Sequence, residues 1–410
     1  IFKSIEFSAL IYKIKKNRSG SYSWYGKLQN VPMGTVTLVV NDGMVFGNIS
    51  KPNFTYQIRP IADGIHVVYE IDPSKFPPFS EPLIPNLKPS PSSLPGEDKT
   101  TKVEEETISS FLSKGKVPAS GSSKVGLGHG TQEALHMGNM ASGSEALNVP
   151  GSLEPLSYPG GSGSSNVAHS YPVAGADDGS MVDMLVIYTP EALAEVGGNS
   201  AVMDNLIELE ESATNEAYAN SGIVNGINVV HKQKIDYSEA GCGSSFECIL
   251  AAAQNGGIPG LHDLRDTHGA DLVHVIIKGD GKFCGLAYLM TTVSNTFESA
   301  AFGTTASNCF SNYTFAHEIG HNMSARHDRD EPKVGPEGAP FTYNFGYVDN
   351  TRQFRTIMAY GSSCVPAWSC TGIQYFSNPD VSYSGGPTGI AEGDPRSADN
   401  RKTHNNTALT

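Results

Sequence analysis

The first 241 residues contain no cysteine; all six cysteines of the 410-residue chain fall between Cys242 and Cys370. No thiolate chemistry can therefore come from the N-terminal half. Basic residues are also scarce, with 28 Lys and Arg against 42 Asp and Glu and a net charge of −14. Phosphate binding wants a basic face, so nucleic acid is not expected as a partner. No apolar run approaches the ~20 residues of a membrane span, and none is expected. The chain opens at Ile1 without a leader, which is expected to have been removed or left off. It closes on Asn405-Asn406-Thr407 without a clear terminus signal, so the native protein is expected to continue.

Glycine and proline, by contrast, are plentiful, at 44 and 25 residues, which fits loops and β-structure more than long helices. The length suits two or three domains. An even, closely spaced cysteine set with no C-x₂-C pair reads as disulfides formed in an oxidising compartment, so a secreted, extracellular protein is expected. Adjacent pairing is the simplest choice: Cys242–Cys248, Cys284–Cys309 and Cys364–Cys370. Glycosylation sequons occur at Asn17, Asn48, Asn53 and Asn312, but also at Asn322 inside a predicted helix, which weakens the motif as evidence.

Residues 1–85 read as all-β. Thr35 to Val40 and Met44 to Phe46 flank Asn41-Asp42-Gly43, a hairpin signal, and Tyr56 to Ile58 and Ile65 to Tyr69 flank Asp63-Gly64. Residues 86–178 have linker composition, with Pro, Ser and Gly runs and an acidic Glu104-Glu105-Glu106, unable to bury much apolar surface. From 179 to 410 the pattern is α+β. Met181 to Tyr188 is a buried strand. Thr189-Pro190-Glu191 starts a helix, and Ser200 to Tyr218 is the longest helical pattern. Strands follow at Gly226 to Ile235, Asp271 to Ile277, Cys284 to Met290 (an edge) and Ala300 to Thr305, and a last helix opens at Thr314.

That helix carries HEIGHNMSARHD, residues 317–328. His317 and His321 are four apart, on one face one turn above the other, and can grip one Zn²⁺. Glu318 between them can act as general base on water at the same metal. His327 adds a third ligand and leaves a fourth tetrahedral position open, as in a catalytic rather than a structural zinc site.

The spacing resembles the metzincin pattern H-E-x-x-H-x-x-G-x-x-H followed by a Met-turn. The candidate turn is Thr356-Ile357-Met358-Ala359-Tyr360. Within that clan the chain looks most like the bacterial reprolysin-like and peptidyl-Asp metalloendopeptidases. The residues that carry this are VDMLVIYTPEA (182–192), FAHEIGHNMSARHD (315–328), FRTIMAY (354–360) and YFSNPDVSYSG (375–385). The resemblance implies a metzincin-like catalytic domain: a mixed twisted sheet, a backing helix, a zinc helix and a Met-turn. It implies a zinc endopeptidase acting on protein or peptide substrates, with the small all-β region as an inhibitory prodomain. A catalytically inactive metzincin-fold binding module is the alternative, and an adhesive role for residues 1–178 is another.

The resemblance also implies roles. Met358 would floor the zinc. Tyr360 would steady the oxyanion, as in the astacin and serralysin branches. Asp328 would make a structural hydrogen bond. If the residue after the cut is acidic, a cation should line its pocket, and Arg352 and Arg355 are the nearest candidates. The linker could lie beside the active-site cleft, with His129, His136, Asp177 and Asp178 as its metal-seeking groups. Asp328 to Glu337 is acidic enough to consider Ca²⁺, although it lacks the spacing of a recognised calcium loop. One departure stands out: Ser324 occupies the place of the family's glycine, where a left-handed backbone costs a serine about 1–2 kcal/mol.

Overall fold

The computed structural model describes residues 6–52, 54–62, 64–87, 181–331, 339–408 and 410. The expected linker segment with His129, His136, Asp177 and Asp178 lies outside the described residues, as do Asn53 and residues 332–338 of the acidic loop.

The N-terminal part is a six-stranded antiparallel meander, β1 (Ala9–Lys16), β2 (Tyr22–Leu28), β3 (Thr35–Asn41), β4 (Met44–Lys51), β5 (Phe54–Ala62) and β6 (Ile65–Ile71), paired in chain order. The first hairpin read from the sequence forms as expected. Its turn residues Asp42 and Gly43 take φ of 46° and 78°, the left-handed pair that matches the twist of the flanking strands. β1 and β2 had no comparable signal, because no Asx-Gly turn joins them.

The second sheet has five strands: β7 (Met181–Tyr188), β8 (Gly226–Lys234), β9 (Leu272–Ile277), β10 (Gly285–Ala287) and β11 (Phe302–Ala306), in the order β10-β11-β9-β7-β8. Four strands are parallel; β10 runs antiparallel to β11 and forms one edge. β7 lies in the interior of the sheet, which explains its near-continuous apolar run. Helix α1 (Pro190–Glu195) starts as read: the Thr189 hydroxyl accepts from Ala192 N at 3.0 Å. The long helix α2 (Ser200–Ser221) ends at Gly222, whose φ of 71° suits glycine. Short helices α3 (Phe246–Gln254) and α4 (Leu261–His268) were not foreseen; each is too short for its periodicity to stand out.

α2 packs on β8 with one face and on β3 and β4 with another, so it is buried on both sides. The second contact joins buried Val39 and Phe46 to the core and adds polar pairs. Ser23 meets Ser212 at 2.7 Å, Asn41 donates to Asn205 at 3.1 Å, Lys15 reaches Glu211 at 3.2 Å, and the Tyr12 and Ser21 hydroxyls donate to Glu216 and Glu208. The three disulfides pair Cys242 with Cys248, Cys284 with Cys309 and Cys364 with Cys370, the adjacent pattern. Among the described residues no helix is long and apolar enough to cross a membrane.

A buried carboxylate ties the sheet to α1. Glu239 is fully buried and accepts from Thr189 Oγ1 at 2.6 Å, Lys278 N at 2.7 Å and Gly279 N at 3.2 Å. Glu239→Ala would strand these donors. It is expected to cost about 3 kcal/mol in denaturant unfolding, and a loss under about 0.5 kcal/mol would contradict this account.

Candidate metal centre

Helix α5 (Thr314–Asn322) carries His317, Glu318 and His321 and is buried along its whole length. It packs on β10, β11 and α2. Two glycines set how closely its neighbours approach. A Cβ on Gly320 would lie 2.5 Å from Met358 Sδ, so glycine lets the Met358 thioether sit against the helix. A Cβ on Gly285 would lie 2.6 Å from Glu318 Oε1, so glycine in β10 makes room for the carboxyl. Neither glycine could be picked out from the sequence, because each serves a neighbour distant in the chain.

The chain leaves α5 through Ser324, at φ 68°. The position needs the left-handed conformation, and serine adopts it. Its hydroxyl donates to the Met290 carbonyl at 2.8 Å, and its own carbonyl accepts from Asn344 Nδ2 at 2.6 Å. These bonds offset the backbone strain. The chain then enters β12 (Arg326–Asp328), paired with β13 (Phe345–Gly346), and this brings His327 back beside α5.

The three imidazoles converge. Nε2 of His327 lies 3.1 Å from Nε2 of both His317 and His321. Nδ1 of His317 lies 2.9 Å from the Ile357 carbonyl, and Nδ1 of His321 lies 2.9 Å from the Ala325 carbonyl. A carbonyl only accepts, so both Nδ1 atoms carry the proton and both Nε2 atoms present lone pairs inward. Burial, first of all, holds His317 and His321 well below the usual imidazole pKa and His327 down at about 3. Neutral rings with converging lone pairs are a cation's donor set. A tetrahedral zinc with Zn–N bonds of about 2.0–2.1 Å has N···N edges of roughly 3.3 Å. The observed separations fit.

Glu318 is fully buried, and neither carboxyl oxygen has a hydrogen-bond partner among the described residues. Burial pushes its pKa well above the carboxylate range. Tyr360 follows the turn at Met358. Its ring centroid is 4.3 Å from that of His327, and its N–H donates to Asp328 Oδ2 at 2.8 Å. Asp328 thus makes the structural bond expected of it.

Both candidate arginines are held by protein groups. Arg355 is buried and donates from Nη1 to the Ala359 carbonyl at 2.9 Å, and burial pulls its pKa down to about 10. It braces the turn and is not available to a substrate carboxylate. Arg352 is engaged by Asp349, with Nη1 2.9 Å from Oδ2, and packs against Gly386. As for Ca²⁺, His317, His321 and His327 form the metal-capable cluster among the described residues, and no carboxylate group joins them or forms another. Asp330 pairs instead with Arg396 at 2.7 Å.

The extended run after β6 was not expected here. The Phe79 ring stacks on His317 with centroids 3.9 Å apart, and its carbonyl accepts from the Tyr360 hydroxyl at 3.3 Å. The Glu81 carboxylate lies 3.5 Å from His327 Nδ1. Leu83 bonds along the edge strand, donating to the Ala287 carbonyl at 2.9 Å and accepting from Leu289 N at 2.8 Å. The sequence does carry a signal: prolines at 77, 78, 82 and 85 rule out helix and favour extension among apolar residues.

Residues 178–377 match the profile of metallo-peptidase family M12. The chain is 26% identical to the peptidyl-Asp metalloendopeptidase of a strain of Stenotrophomonas maltophilia, over 99% of this chain and 82% of that protein. It is 27% identical to the protein of that name from Xanthomonas campestris pv. campestris, over 96% and 76%. Against the one from Pseudomonas fragi it is 30% identical, over 42% of this chain and 88% of that protein.

Ser324 gives a direct test of the exit geometry. Ser324→Gly relieves about 1 kcal/mol of left-handed strain and loses one buried bond of similar size, so stability should stay within about 1 kcal/mol. Ser324→Ala keeps the strain, strands the Met290 carbonyl and should cost about 1–2 kcal/mol. Denaturant midpoints ranking the glycine variant below the alanine variant would contradict this.

Proposed function

Because the chain belongs to metallo-peptidase family M12 and is a zinc metalloendopeptidase, we propose that it is secreted in a latent form and cuts protein chains before aspartate. The observation that carries the active-enzyme reading is the pairing of three neutral imidazoles, their Nε2 atoms 3.1 Å apart in two of the pairs, with a buried carboxyl that no group among the described residues hydrogen-bonds. An inactive binding module would have no use for Glu318 in that state.

His317, His321 and His327 would hold the metal through Nε2. A zinc ion there would supply a Lewis acid for a carbonyl oxygen and lower the pKa of water. Glu318 takes the proton of the attacking water and returns it to the amine of the leaving peptide. Burial suits it to hold that proton between the two steps. Tyr360, once its hydroxyl leaves the Phe79 carbonyl, donates to the oxygen of the attacked carbonyl. Met358 forms the apolar floor, in contact with Gly320. The edge strand β10 takes the substrate as an added strand, through the main-chain groups that Leu83 engages now.

Latency rests on residues 78–83. Phe79 covers His317, and Leu83 fills the strand edge that a substrate needs. The meander docks on α2 through hydroxyl, amide and charged pairs around buried Val39 and Phe46. The polar pairs suit a unit that leaves, since those groups of α2 can be hydrated. The three disulfides support export to an oxidising compartment. The relatives' shared name supports cutting at aspartate.

Glu318→Gln is expected to keep its zinc, counted by elemental analysis, and to lose about a thousandfold or more in turnover on a denatured protein mixture. Retained turnover would end the general-base assignment. Phe79→Ala in the full chain should raise activity before any processing, by uncovering His317. Equal latency in variant and wild type would remove the 78–83 segment from the inhibitory role.

A further inference from the structure

Each imidazole of the centre turns one nitrogen inward and the other outward. The outward nitrogens of His317 and His321 bond to the Ile357 and Ala325 carbonyls. His327 differs: its Nδ1 is buried and makes no hydrogen bond among the described residues. Zinc on Nε2 leaves the proton of a neutral imidazole on Nδ1, and a buried donor is costly to leave unmet. The polar groups beside His327 are engaged elsewhere. Asp328 accepts from Tyr360 N at 2.8 Å and from Asp330 N at 3.0 Å, and the Tyr360 hydroxyl turns to the Phe79 carbonyl.

What faces His327 Nδ1 is the Glu81 carboxylate, at 3.5 Å. Its segment is fastened to the edge strand on both sides of it. The Pro78 carbonyl accepts from Cys284 N at 3.1 Å, and Ser80 Oγ donates to the Gly285 carbonyl at 2.7 Å. Beyond Glu81, Leu83 bonds to Ala287 and Leu289. The carboxylate is therefore held within about 1 Å of a charge-assisted bond length. An acceptor on the outer nitrogen of a metal-bound imidazole fixes its tautomer and orientation and raises its basicity.

We propose that Glu81 is the outer acceptor of His327, so that the segment covering the zinc site also completes it. The proposal rests on the reading that the three histidines bind zinc. It makes Glu81 a positioning residue, acting on the metal through the ring of His327. When the segment departs, Nδ1 passes from a carboxylate to water, and the processed enzyme holds zinc less tightly than the latent chain. The latent chain is then the form suited to acquire the metal.

The test measures the zinc affinity of the full chain by competition with a chromogenic chelator. Glu81→Ala should weaken it about tenfold or more. Glu81→Gln should weaken it less, because an amide oxygen still accepts, without the charge. Phe79→Ala uncovers His317 but leaves the acceptor of His327 in place, so its loss should be clearly smaller. Unchanged affinity in Glu81→Ala, or an equal loss in Phe79→Ala, would overturn the proposal. A wild-type chain that takes up no zinc would instead sink the three-histidine site itself. Proton NMR of the zinc-loaded, histidine-labelled full chain separates this role from a direct bond between Glu81 and the metal, and it needs only the near-isosteric Glu81→Gln. The His327 Nδ1 proton should lie far downfield in wild type and move upfield in Glu81→Gln. A resonance that stays in place would overturn the proposal.

Discussion

Neutral imidazoles whose Nε2 lone pairs converge repel one another unless a cation lies among them, and the organisation of the chain around α5 follows from holding them there. Two rings are fixed by backbone carbonyls, Ile357 for His317 and Ala325 for His321. These carbonyls set both the tautomer and the ring orientation. His327 has to be brought from a separate strand. That requires a left-handed exit from α5, bonded at Ser324, and a short pairing between β12 and β13. Below, Met358 against Gly320 closes the floor; beside, Gly285 leaves space for Glu318. The metal-holding geometry is thus built from main-chain carbonyls and absent side chains as much as from the ligands themselves.

On the proposed reading the same edge strand serves catalysis and latency. β10 offers main-chain groups to an extended peptide, and in this chain residues 78–83 take them first. Phe79, Glu81 and Leu83, alternate residues of an extended run, meet respectively His317, His327 and the strand edge. On the same reading, the Ser, Asn, Lys and Glu groups between the meander and α2 exchange protein partners for water at little cost, while buried Val39 and Phe46 hold the two parts together until processing.

Much of this was legible in the sequence where the signal is local. The spacing of His317, Glu318, His321 and His327 is a helical-period pattern with a fixed continuation, and the structure gathers those residues at one point. The Asp42-Gly43 turn and the Thr189-Pro190 helix start are set by φ preferences of single residues, and both formed as read. What escaped depends on contacts between distant segments. Arg355 lies two residues from Thr356-Ile357-Met358 in sequence, and nearness along the chain suggested a pocket role. Its direction is set by burial against the Ala359 carbonyl, which no spacing reveals. Glu81 and His327 are 246 positions apart, and only the folded chain brings the carboxylate within 3.5 Å of the ring. The covering segment begins before residue 85, within the region read as β-rich, because the proline run that marks it was absorbed into the boundary.

The central claim is that this chain binds one zinc through three imidazoles while its own segment covers the site. X-ray absorption at the zinc edge of the unprocessed full chain tests it most directly. The account predicts one zinc per chain with three imidazole nitrogens at about 2.0–2.1 Å, and loss of the imidazole signal in His327→Ala. Purification of a folded chain that takes up no zinc, or a zinc shell of sulfur or of carboxylate oxygen without imidazole, would contradict it.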